Sequence, residues 1–154
     1  MPNIKVNDPA ERLEPAYLFP DGNEEELKNL VAVAKDVVPG VSCRAVVVQG
    51  GDLRYAMPLV KGTSVRSTVV IDFPDGLGGL RAKSDQARFA AQCGVREADV
   101  VVNLRDVAAR DKTSILAECH AVREYIPEIK MIAQIPYLWK INRNHIFWLT
   151  DFLQ

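Results

Sequence analysis

Apolar positions along this chain switch repeatedly between helical spacing and unbroken β-branched runs. Over residues 24–37, Leu27, Leu30, Val31 and Ala34, continued by Val38, recur at helical spacing and form one stripe. Asn23 and Glu26 stand three apart ahead of it, the spacing of a capping box that satisfies the first free N–H groups of a helix. Pro39-Gly40 stops that helix. Residues 44–49, Arg-Ala-Val-Val-Val-Gln, then show almost no alternation, the habit of a strand covered on both faces in a parallel sheet. The rhythm repeats. Residues 53–60 predict a short helix in spite of Pro58, and 65–73 a second strand. Residues 80–93 predict a helix with Ala87, Ala90 and Ala91 on a small-residue face, ended by Gly94. Residues 98–104 read as a third strand, 113–125 as a helix carrying Ile115, Leu116, Cys119 and Val122 inward, and 129–134 as a fourth strand. Ala16-Tyr-Leu-Phe19 is the candidate for one more strand, ahead of the first helix.

This alternation, with crossovers of helical length, predicts an α/β fold with a parallel sheet and right-handed connections. Two architectures fit: an open five-stranded doubly wound sheet, or the first five strands of a (β/α) barrel of TIM type, whose usual length is about 250 residues. After residue 135 the rhythm is lost. Both tryptophans, Trp139 and Trp148, fall there with Phe147 and Phe152. We therefore divide the chain into a (β/α) portion, 1–135, and an aromatic-rich tail, 136–154, read as a terminal helix docking on the rest or as a replacement of the expected continuation.

Composition narrows the function classes. The 154 residues are 48% hydrophobic and 25% charged, the profile of a folded globular chain. Nineteen basic residues oppose twenty acidic ones without a basic cluster, so no nucleic-acid surface is predicted. No apolar stretch reaches the roughly 18 residues of a membrane helix, and the opening Met-Pro-Asn-Ile-Lys-Val-Asn-Asp offers no apolar signal core. Cys43, Cys93 and Cys119 form no disulfide framework or zinc motif, so a cytoplasmic protein without metal or other cofactor is expected.

Ligand-handling groups in parallel α/β folds lie at the carboxyl ends of strands. That rule selects Gln49, Asp72, Asn103, Arg105 and Gln134. Asp99 is different, standing inside a valine run, where a carboxylate is costly without a partner. It is either a solvent-facing residue at the strand's start or a functional acid. Gly76-Leu-Gly-Gly79 matches neither phosphate-binding glycine pattern and reads as a turn. His120 reads as a surface or boundary residue, and no nucleophile-elbow motif occurs.

In order along the chain, several segments resemble deoxyribose-phosphate aldolases. Leu13-Glu-Pro-Ala-Tyr-Leu-Phe-Pro-Asp21 and the capped helix are similar to that family's opening. Ala45-Val-Val-Val48 with Met57-Pro-Leu-Val-Lys-Gly62 looks like the second strand and helix, and Val69-Val-Ile-Asp-Phe-Pro-Asp-Gly76 like the third strand with its Phe-Pro-x-Gly loop. Lys83 to Gly94 resembles the alanine-rich helix, Glu97-Ala-Asp-Val-Val-Val-Asn103 the fourth strand, and Lys130-Met-Ile-Ala-Gln134 the fifth. The likeness spans about residues 13–135. It implies a TIM-type barrel and class I aldolase (lyase) chemistry: reversible cleavage of deoxyribose 5-phosphate to glyceraldehyde 3-phosphate and acetaldehyde through a lysine Schiff base, with an aspartate and a second lysine handling protons.

The resemblance makes Asp99 the catalytic acid and Asp72, Asn103 and Gln134 substrate-binding candidates, with an aldehyde or sugar phosphate as partner. The family's Schiff-base lysine lies on its sixth strand and the partner lysine on its seventh, both beyond Gln154. None of Lys61, Lys83, Lys130 or Lys140 matches, and Lys130 reads as opening its strand at the end away from the chemistry. Glu14, Pro15 and Ala16 depart from the family's first strand. The expectation is a chain truncated after about five strands and without retro-aldol turnover, whose open sheet edges are covered by the tail or by a homo-oligomer. The alternative is a non-catalytic α/β module binding a protein partner or a phosphorylated small molecule through residues 72–79.

Overall fold

A computed structural model describes residues 9–153. Its strands are β1 (Ala16–Tyr17), β2 (Ala45–Val48), β3 (Arg66–Ile71), β4 (Glu97–Val101) and β5 (Glu128–Ile132). The helices are α1 (Glu24–Lys35), α2 (Leu53–Val60), α3 (Gly79–Gln92), α4 (Leu104–Ala109), α5 (Lys112–Arg123), α6 (Ile135–Asn142) and α7 (Asn144–Leu153). The strands belong to one five-stranded sheet whose order follows the chain, β1 to β5. The predicted α/β class is therefore observed. The chain divides into two compact units at Thr68/Val69, inside β3.

In the first unit β1 and β2 pair in parallel, Ala16 with Val47 and Tyr17 with Val48. Every residue of β2 is buried, as its unalternating run predicts. Leu27, Val31 and Ala34 form the buried stripe of α1. Its capping box is complete: the Glu26 amide donates to the Asn23 side chain and the Asn23 amide to the Glu26 carboxylate. The helix ends at Lys35, two residues before the predicted stop, and Val38 is exposed.

In the second unit β3 pairs in parallel with β4, and β4 with β5, in a register that sets Asp99 opposite Lys130 and Val101 opposite Ile132. Alternate residues of a strand face opposite sides of a sheet. Ala98 and Val100 are fully buried, and Val102, just beyond β4, joins the cluster of Val107, Ile115, Leu138 and Leu149 from α4, α5, α6 and α7. The tail thus docks as two helices, each sending one leucine into that cluster, while Trp139 stays exposed.

Two strand ends differ from the sequence reading. The third predicted strand stops at Val101 because Asn103 caps α4, its side chain accepting the Arg105 amide at 3.0 Å. β3 ends at Ile71 because Asp72 turns left-handed, with φ 60°. In α5, Leu116 faces outward and Glu118 takes the inward position with Ile115 and Val122.

Candidate functional site

Two clusters of charge flank the second unit's strands. The first lies on the strand face opposite Ala98 and Val100. There β4 carries Glu97 and Asp99, and β5 carries Lys130. Lys130 Nζ lies 3.0 Å from Glu97 Oε1 and 3.0 Å from Asp99 Oδ1. The Glu97 side chain is 3% exposed, that of Asp99 15% and that of Lys130 40%. Asp99 is therefore neither a surface residue at a strand's start nor a lone buried charge; it shares an ammonium with a second carboxylate. Lys130 is the third residue of β5, since that strand begins at Glu128 and not at residue 129 or 130. Parallel strands are ordinarily apolar on both faces, so three ionisable groups on one face make this the first candidate site.

The second cluster lies at the carboxyl ends of β3, β4 and β5, where the loop of residues 72–78 passes over them. The Asp72 carboxylate accepts the Gly78 amide through both oxygens, at 2.9 and 3.1 Å. It lies 3.4 Å from Lys83 Nζ. The Asp72 amide donates to the Gln86 side chain, and its carbonyl accepts the Gly76 amide. Gly76 is left-handed, with φ +70°, and a β-carbon there would strike the Val102 carbonyl at the end of β4. At the end of β5, Gln134 donates its side-chain amide to the Pro74 carbonyl.

Beneath this loop Lys83 of α3 is fully buried. It donates to the Glu118 carboxylate of α5 and to the Gly76 carbonyl, the latter at 3.1 Å. Burial pushes the Glu118 carboxyl above its ordinary value, with Lys83 opposing. Burial and the neighbouring Asp111 likewise raise Asp106 of α4, again against Lys83.

The sequence-selected residues are thus distributed unevenly. Asp99 lies on the charged strand face. Asp72 and Gln134 share the loop at the strand ends, and Asn103 spends its side-chain oxygen on a helix cap. The Gly78 amide, which an incoming anion would need at the start of α3, is taken by Asp72. Sequence reading missed Lys83, Glu118 and the placement of Lys130. Helical spacing could have found the first two: Lys83 leads Ala87 and Ala90 on the buried face of α3, and Glu118 follows Ile115 on that of α5. Lys130 carries no such signal, because only the register of β4 with β5 brings it to Asp99.

In the first unit Glu14 contacts Arg44. An open groove of about 640 Å³ there is lined by residues including Tyr17, Phe19, Asp21, Glu26 and Leu30. None of the residues selected as catalytic or substrate-binding lines it.

No family model matches the chain. A curated deoxyribose-phosphate aldolase of Corynebacterium jeikeium is 30% identical over 116 residues, which is 75% of this chain and 47% of that protein. Among solved structures, the deoxyribose phosphate aldolase of Aeropyrum pernix, described as a tetramer, superimposes with a TM-score of 0.74 and 25% identity, covering 93% of this chain and 58% of that one. An aldolase designated QR15 gives a TM-score of 0.81 at 24% identity over 96% of this chain and 63% of that one. The chain spans about half the length of the curated relatives it matches.

Proposed function

The chain resembles deoxyribose-phosphate aldolases in sequence and fold over about half their length, and from that premise we propose that the charged face of β4 and β5 is the acid–base part of an aldolase site. The observation that carries this reading is the ion-paired set Glu97, Lys130 and Asp99 on one strand face. Asp99 is the carboxylate that exchanges protons with the reacting carbon and oxygen of a small aldehyde or sugar phosphate. Lys130 holds that carboxylate in place, and Glu97, the more deeply buried, fixes the lysine. A neighbouring ammonium orients a carboxylate toward the group with which it exchanges protons. The substrate class is deoxyribose 5-phosphate, cleaved to glyceraldehyde 3-phosphate and acetaldehyde.

Cleavage through a Schiff base needs a lysine that attacks as the free amine. Lys130 lies between two carboxylates, and Lys83 is enclosed with Glu118 and Asp72. Neither is disposed as a nucleophile, so we propose that the 154-residue chain by itself binds without turning over. Deoxyribose 5-phosphate added to isotopically labelled protein should shift the resonances of Asp99 and Lys130, with no acetaldehyde released. Asp99→Asn should abolish those shifts. Shifts confined to other residues would sink the site assignment, and acetaldehyde release would sink the claim of inactivity.

A further inference from the structure

Lys83 plays no part in the proposed acid–base set, yet no described lysine is more deeply enclosed. An ammonium without water is costly, and a methionine would fill much the same space without that cost. Its ammonium donates to the Glu118 carboxylate and to the Gly76 carbonyl at 3.1 Å, and it pairs with the Asp72 carboxylate at 3.4 Å. Two of these belong to the loop of residues 72–78 and the third to α5. Asp106 of α4 lies within electrostatic reach of the same ammonium. The lysine therefore joins segments that the chain does not hold together locally.

That loop needs holding. Asp72 and Gly76 are both left-handed, and for a residue other than glycine that conformation is unfavourable. Its outer side reaches the strand ends: Gly76 rests on the Val102 carbonyl, and the Pro74 carbonyl accepts the side chain of Gln134, another left-handed residue. We propose that Lys83 is a positioning residue for the ligand end of this unit. From the helix side it fixes residues 72–78 over the ends of β4 and β5, and through Pro74 it fixes the side chain of Gln134. It touches no ligand itself. The proposal rests on reading the carboxyl ends as the ligand side, but not on aldolase turnover.

The informative variant is Lys83→Met combined with Glu118→Met. Lys83→Met alone strands Glu118, whereas the double variant removes that carboxylate together with the ammonium and leaves Asp72 its bonds from the Gly78 amide. Amide hydrogen exchange and the side-chain amide resonance of Gln134 are the readouts. In the double variant the amides of Gly76 and Gly78 should exchange at least tenfold faster. The Gln134 resonance should move to its solvent-exposed position, and the Val100 and Val101 amides should keep their protection. Unchanged exchange at Gly76 and Gly78 would overturn the proposal. So would equal loss of protection in the loop and in β4, or failure of the double variant to fold, since Lys83 would then be a requirement of the fold and not of the loop. Loss of sugar-phosphate binding in an otherwise native wild-type chain would count against the function proposed above and leave these exchange results standing.

Discussion

Asp99, Lys130 and Glu97 show how little of a charge's role is visible in the residue itself. An aspartate among valines is costly in isolation, and the ammonium of Lys130, 3.0 Å away, makes it tenable. The same ammonium serves Glu97, which is nearly inaccessible to water. Lys130→Met removes an ammonium that two carboxylates share and should weaken the fold by about 1 kcal/mol in urea denaturation, because Lys130 itself is partly solvated. An unchanged midpoint would show that Glu97 does not depend on Lys130. Lys83 differs in degree. Three acceptors surround it and no water reaches it, so it acts through the backbone it holds.

At the scale of elements, caps and turns decide where chemistry can sit. Asn103 ends the third predicted strand early because its side chain serves α4 better than the backbone serves β4. Asp72 takes the Gly78 amide at the start of α3 with its own carboxylate, at 2.9 and 3.1 Å. Asp111 does the same for α5, accepting the amide and hydroxyl of Ser114. Those bonds, the backbone one first, hold its carboxyl below the ordinary value near 3.8. A carboxyl lowered in the folded state contributes stability that is complete above its unfolded value and lost as pH falls through the folded one. Asp111→Ala should therefore be less stable than the parent at pH 7, and the gap should narrow on acidification below about pH 4. Melting curves across that range test it; a gap that widens with acid would reverse the assignment.

At the scale of the whole molecule, the described residues form five strands in one sheet, and the relatives the chain matches are about twice as long. Its described helices include none long and apolar enough to cross a membrane. Incubation with acetaldehyde and borohydride should ethylate no lysine faster than the exposed surface amines, whereas a rapid stoichiometric adduct at one lysine would identify a nucleophile the geometry does not suggest. The sequence by itself determined the alternation of helices and strands, the buried run of β2, the capping box of α1 and the singling-out of Asp99, because each depends on spacing within one segment. It also carried the family resemblance, whose motifs follow one another along the chain. Only the tertiary structure decided which partner Asp99 has, which inward-facing charges are matched and where the 72–78 loop is tied. Those contacts join residues far apart in the chain, and strand register and helix docking bring them together, which no local pattern encodes.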